Sequence, residues 1–279
     1  MRHEDLSDLG PTLGPDGRMH RHPHYATTLR GMGAELGRLP CGTLTVTRRT
    51  GPLRLLWLPH PMVLPDLATL PAPALISAAS RVQDTRLHGS GAIRMLTPQA
   101  RAVLRLTRDA DLQRSGQHQK WRNRLRHAER QRVRICHAPL PRDPGHWLLQ
   151  AEAAQQRARG YRALPPEFAL HWPQTRLFLA RRGRQVLAAQ LFLLHAPGAS
   201  YHIGWSGPEG RAASAHNLLL WEAGRWLASQ GITRLDLGPL DRHGPGLARF
   251  KLGSGARIEA TGHTWLASRF LAPLGRLIG

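Results

Sequence analysis

Tyr201-His202-Ile203-Gly204-Trp205, Ser214-Ala215-His216-Asn217-Leu218-Leu219-Leu220-Trp221-Glu222-Ala223 and Gly231-Ile232-Thr233-Arg234-Leu235-Asp236-Leu237-Gly238, taken as one run, decide the fold. The first is a short strand. The second opens an amphipathic helix, Ser214 to Ser229, that turns Leu219, Ala223, Trp226 and Leu227 to one side. Gly231 just past its end is a helix stop. The third carries a strand from Thr233 to Leu237. A strand, a helix and a strand in succession predict a parallel crossover.

Outward from this run, Leu177–Leu179 and Val186–Leu194 read as strands joined through Arg182-Gly183. With the strand at Tyr201 they make three adjacent strands, which favours antiparallel pairing. Earlier still come a helix from Trp147 to Arg159 ended by Gly160, a strand at Val133-Arg134-Ile135, and a helix from Gln117 to Gln131. That last helix buries Trp121, Leu125 and Ala128 and runs Arg122, Arg126 and Arg130 down a neighbouring face. Downstream, a Gly- and Pro-rich loop over 238–248 leads to Lys251 in a helical turn and a strand from Ile258 to Trp265. The expected class is α/β (α+β), a mixed sheet with helices on both sides.

The first half is also α+β: a helix from Tyr25 to Leu36, a strand Thr43–Thr47, a turn at Thr50-Gly51, a returning strand Leu53–Leu58, a helix Ala72–Val82 and a strand Ile93–Leu96. Gly, Pro and Asp over residues 1–20 predict a flexible N-terminus. Composition shifts near Thr107, and Arg108–Gly116 reads as a connection. The expected domains are therefore 21–110 and 111–279.

Apolar residues make up 41% of 279, enough for a core, which excludes global disorder. Thirty-nine basic side chains against 18 acidic ones give a formal charge of +21. Such an excess predicts a polyanionic partner: RNA, DNA, anionic lipid or a phosphorylated substrate. Cys41 and Cys136 offer neither a disulfide framework nor metal spacing, so no metal is expected and a reducing, cytoplasmic setting fits. His20, His22 and His24 lack a carboxylate or cysteine at ligand spacing and read as solvated. Met1-Arg2-His3-Glu4-Asp5 is not a signal peptide. The apolar stretch Leu53–Ala79 is broken by five prolines and cannot be a spanning helix. Trp265–Leu271 is amphipathic and basic, suiting a terminal packing helix or a peripheral membrane contact.

Three constellations carry chemistry. Gly207-Pro208-Glu209-Gly210-Arg211 stands between a strand and a helix, where backbone N–H groups hold a phosphate or oxyanion, or simply turn the chain. Lys120, Arg122, Arg124 and Arg126 surround Trp121 and Asn123, a solvated face or a phosphate-capturing one. Asp236 ends a strand, and Arg249-Phe250-Lys251-Leu252-Gly253 follows a short loop later. There the carboxylate either positions or deprotonates an amine while Lys251 stabilises an oxyanion, or it makes a structural Asp–Lys or Asp–Arg pair. Lys120 and Lys251 are the two lysines of the chain, and both lie in these segments.

Together Lys120–Glu129, Val186–Gln190, Tyr201–Gly204, Asn217–Ala223, Gly231–Gly238 and Gly246–Gly253 stand in an order that resembles the FemA/FemX-like branch of the GNAT acyltransferase superfamily. The resemblance covers about residues 115–260 and extends less clearly to the first half. It implies two tandem GNAT-like units, the first divergent, and transfer of an acyl or aminoacyl group to an amine acceptor. It implies no bound cofactor, with aminoacyl-tRNA or acyl-CoA as donor substrate. Where an acyl-CoA pyrophosphate loop carries glycines, this chain reads Arg211-Ala212-Ala213-Ser214-Ala215. The positive charge favours tRNA. Carried onto this chain, Lys251, Asp236 and Tyr201 are the catalytic candidates. Lys120, Arg122, Asn123, Arg126, Arg211, Asn217 and Arg249 are the candidates for substrate or phosphate. A noncatalytic RNA-binding protein on the same scaffold is the alternative.

Overall fold

The computed structural model describes residues 16–160, 163–240 and 245–268. In order, its first elements are α1 (Pro23–Gly31), β1 (Glu35–Arg38), β2 (Leu44–Thr50), β3 (Leu53–Pro59), β4 (Ala74–Ser77), α2 (Arg81–Gly89) and β5 (Ile93–Leu96). Then come β6 (Ala100–Arg105), α3 (Ala110–Ser115), α4 (Gln119–Glu129), β7 (Arg134–Ala138), α5 (Trp147–Arg159), α6 (Phe168–His171), β8 (Thr175–Arg182), β9 (Gln185–His195) and β10 (Gly198–Ser206). The last are α7 (Pro208–Ala212), α8 (Ala215–Ser229), β11 (Arg234–Pro239), α9 (Pro245–Gly253), β12 (Arg257–Ala260) and β13 (Thr264–Ala267).

They form two compact units. One comprises Met1–Gln99 with Ala260–Gly279, the other Ala100–Glu259. This differs from the expected division at 110/111. The composition shift near Thr107 marks the end of strand β6, which already belongs to the second unit. The tail also returns: β13 lies between β4 and β5 in the first sheet. The expected strand over Ile258–Trp265 is thus two strands, β12 and β13, in different sheets.

In the first unit the sheet order is β1-β2-β3-β4-β13-β5, with β3 and β4 parallel. The helix expected over Ala72–Val82 is a strand followed by a helix. Pro73 biases Ala72 toward extended backbone, and Ala74 and Ile76 alternate inward as strand residues do. The helix expected to reach Leu36 stops at Gly31, because Gly33 takes φ +80 and the chain turns into β1. Asp84 ties α2 to β13: its carboxylate accepts from Trp265 Nε1 at 2.7 Å and His263 N at 2.8 Å. His20 packs on Tyr25 and His60, and His22 caps α1 by accepting from His24 N, so this group is part of the structure rather than solvated. Of the N-terminus expected to be flexible, residues 1–15 lie outside the described residues, as does the tail beyond Ser268.

The second unit has the order β12-β6-β11-β10-β9-β8-β7. The three strands β8, β9 and β10 are antiparallel neighbours, and β10 pairs with β11 in parallel, as the strand–helix–strand reading predicts. β9 is buried along most of its length, which is why Val186–Leu194 reads as one apolar run. Helices α4 and α8 close one core, with Leu125, Ala128, Phe192, Leu219, Ala223 and Leu227 shut off from solvent. Gly160 (φ +64) ends α5, and Gly183 (φ +58) turns β8 into β9.

Candidate active site

The site begins with a pairing that stops. β10 and β11 are in register only at Gly198↔Arg234, Ala199↔Leu235 and Ser200↔Asp236. Past Ser200, β10 takes a bulge between Tyr201 and Ile203 and follows β9 to Ser206. β11 instead goes on with β6 to Pro239. Two parallel strands that part at their carboxyl ends open the sheet where such folds bind ligands.

On the β10 side, the Tyr201 hydroxyl and His216 Nε2 are 2.9 Å apart. Gly204 makes room for this pair, since a Cβ there would stand 1.6 Å from the Tyr201 oxygen. Burial pushes the His216 imidazole down to about 4, so it is neutral at pH 7. Its Nδ1 is buried with no hydrogen-bond partner. An orphaned lone pair costs less than an orphaned N–H, which favours the tautomer protonated at Nε2. In that tautomer His216 donates to the Tyr201 oxygen and Tyr201 keeps its own proton as a donor. Gln190 Nε2 fixes the start of α8 by donating to the His216 carbonyl at 2.9 Å.

On the β11 side, Lys251 is 5% exposed, and its Nζ donates to Pro239 O at 2.9 Å. Gly238 takes φ +87, and a side chain there would begin 3.5 Å from that nitrogen. The Lys251 nitrogen is therefore held where β11 ends. Asp236 spends both oxygens nearby: Oδ2 accepts from Arg101 Nε at 2.9 Å and Oδ1 from Gly238 N at 2.8 Å. Asp236 thus forms an ion pair with Arg101.

α9 and α4 complete the arrangement. The Phe250 ring lies 5.2 Å from that of His216, and Trp121 Nε1 donates to Phe250 O at 3.1 Å. Gly253 presses on Trp121, where a Cβ would approach to 2.9 Å, and His118 N donates to Gly253 O at 2.9 Å. The two lysine-bearing segments therefore pack on each other, although Lys120 itself is exposed on α4.

The other candidates are scattered. Arg122 bonds the carbonyls of Ser115 and Gln117 and braces that turn. Asn123 is exposed and accepts from Arg126 Nη1 at 3.4 Å. Arg211 donates to Ser206 O at 2.6 Å, and Arg249 is exposed. Asn217, beside His216, is buried, with Nδ2 unpartnered. Gly204 and Gly238 sit inside the segments that carry the resemblance and His216 one residue before one of them, but the sequence marks none of the three as functional. The loop after β10 is closed on itself: the amides of Arg211, Ala213 and Ser214 donate to Gly207, Glu209 and Arg211 carbonyls. Among the described residues no group of three His, Cys, Asp or Glu suits a metal ion. A cavity of about 660 Å³ in the same unit, lined by Thr107, Phe178, Glu222 and Trp226 among others, shares no residue with this site.

A family model described as the acetyltransferase (GNAT) domain matches residues 100–252, more than half of the chain. The chain belongs to this family. Its fold is that of FemX, with a TM-score of 0.70 at 12% identity over 95% of each chain. It is also similar to the C-terminal domain assigned to a lysylphosphatidylglycerol synthetase of Agrobacterium fabrum (TM-score 0.60, 13% identity, 96% of this chain and 94% of that one). A tandem GNAT protein from the clavulanic acid biosynthesis pathway matches at TM-score 0.52 and 11% identity, over 94% of this chain and 93% of that one. At these identities the likeness is one of fold. No curated protein sequence matches the chain.

Gly204→Ala is expected to destabilise the protein by about 1–3 kcal/mol, the usual cost of overpacking, because the new methyl must displace Tyr201 or His216. Gly246→Ala, whose Cβ meets nothing within 4 Å, serves as the neutral comparison. The urea midpoints of the two variants test this.

Proposed function

We propose that the chain transfers an acyl or aminoacyl group from an activated donor to an amine, where β10 and β11 part. The observation that carries the reading is the buried Lys251 side chain, whose Nζ is held on Pro239 O at that point. The amine nitrogen bonds to the donor carbonyl carbon, and the carbonyl oxygen becomes an oxyanion that Lys251 stabilises. Collapse breaks the bond to the donor's leaving oxygen. That oxygen takes up the proton the amine sheds, relayed by Tyr201 with His216 behind it. Asp236 is a positioning residue in this scheme: by holding Arg101 and Gly238 N, it sets the strand end on which Lys251 rests.

An aminoacyl-RNA suits the donor role better than acyl-CoA. The stretch Arg211–Ala215 leading into α8 carries no glycine, and its Arg211, Ala213 and Ser214 amides are already spent on nearby carbonyls, which leaves a poor cradle for a pyrophosphate. The +21 charge favours a nucleic acid. The test offers a panel of aminoacyl-tRNAs and acyl-CoAs with simple primary amines and detects the acylated amine by mass spectrometry. Amide formed from aminoacyl-tRNA is the expected result. Product from acyl-CoA alone would replace the donor. RNA binding without transfer from any donor would establish the noncatalytic alternative.

A further inference from the structure

We infer that the exposed face of α4 is a docking surface for an RNA backbone. The inference rests on the proposed function only in taking that RNA to be the acyl donor. Trp121, Leu125 and Ala128 are the buried residues of α4, and they face the core. Lys120, Arg124, Arg126 and Arg130 point to solvent, and Arg132 follows just beyond the helix. Among the described residues no carboxylate pairs with any of them. The one acid on α4, Glu129, gives both oxygens to Arg114.

This arrangement works against the helix that carries it. Lys120 with Arg124, and Arg126 with Arg130, are like charges four residues apart, which repel across one turn. Lys120 also stands in the first turn, where the helix dipole disfavours a cation. A chain of phosphates laid along the face turns each of these unfavourable terms favourable.

RNA fits this face better than an anionic membrane does. A helix lying in a membrane interface needs large apolar side chains beside its cations. The exposed large apolar residues of the described chain, such as Leu53, Val82, Leu247 and Ile258, lie on other elements. Arginine forks, three of the four cations on the helix, match the paired oxygens of a phosphodiester. The face also leads to the active site. Trp121 and His118 fasten the start of α4 to α9, which carries Lys251. His127 Nε2, 3.2 Å from Ala212 O, brings its far half beside α7 and the exposed Arg211. An RNA lying along α4 therefore has a course toward the lysine.

The test is fluorescence anisotropy of a labelled, uncharged RNA stem-loop against the full chain over a series of KCl concentrations. For the wild type, log affinity should fall linearly with log salt. Arg124→Glu with Arg130→Glu should weaken binding at least about tenfold at about 0.15 M salt and lower the salt slope by roughly two. The comparison is Arg157→Glu with Arg159→Glu on α5, which makes the same change in net charge and should leave affinity within about threefold. Equal losses in the two double variants would overturn the assignment. So would an α4 variant that loses binding to phosphatidylglycerol vesicles but keeps RNA. Lys251→Met should bind RNA as the wild type does. A wild type that binds RNA through α4 yet transfers only from acyl-CoA keeps this surface and removes the proposed donor.

Discussion

Lys251→Met should lower the transfer rate by about a hundredfold or more, the loss seen when one preorganised oxyanion donor is removed, and should leave the protein folded. Methionine keeps the length and much of the volume of lysine. The variant therefore separates chemistry from packing better than Lys251→Ala does: both leave the Pro239 carbonyl without its donor, but alanine leaves a cavity as well. Arginine should not restore the rate. Its planar fork is larger than an ammonium and donates in fixed directions. Single-turnover kinetics with the melting temperature beside them decide the matter. A rate unchanged in Lys251→Met would remove Lys251 from the mechanism.

The second large effect is on acid stability. Burial holds His202 and His216 down to about 4, against an ordinary value of 6.5. For His202, a hydrogen bond to the Pro166 carbonyl opposes the shift only in part. Between those values the unfolded chain carries the two protons and the folded chain does not, so stability rises with pH across this window. The contribution is complete above about 6.5 and fades as pH falls toward 4, worth about 3 kcal/mol per ring at 1.36 kcal/mol per unit. A natural domain has only about 5–15 kcal/mol in all. Urea unfolding at pH 7 and pH 5 isolates the histidines, because carboxylates have scarcely begun to protonate there. His202 and His216 together account for about 4 kcal/mol of loss over that interval, and His22, which burial also holds down to about 4, adds to it. A flat profile would refute it. His216→Gln should shallow the profile and at the same time disturb Tyr201.

The second unit was the more legible half of the sequence, for physical reasons. α8 and α4 announce themselves by apolar residues three and four apart, and β9 by an unbroken apolar run. Gly160, Gly183 and Gly231 mark turns that only a positive φ permits. β6 escaped notice. Ala100-Arg101-Ala102-Val103-Leu104-Arg105 is short and framed by arginines, and its neighbours β11 and β12 lie more than a hundred residues away. In the first unit Ala74–Ser77 was read as helix, since alanine and leucine favour helices locally and the pairing with β3 and β13 that overrides them is distant. At the site, Lys251 and Tyr201 could be named from their segments. The pairing of Tyr201 with His216 could not, because a hydrogen bond between a strand and the helix after it leaves no periodic trace. Nor could the engagement of Asp236 by Arg101, 135 residues apart.

The return of β13 to the first sheet has a consequence for synthesis. The second unit lies wholly within the chain between Ala100 and Glu259 and has all of its strands before β13 is made. The first unit does not: β4 and β5 are held apart by a strand that has not yet been made. The amino-terminal sheet is thus the last to be finished. Until Thr264–Ala267 emerges, its two inner edges remain open to pairing with any strand that meets them.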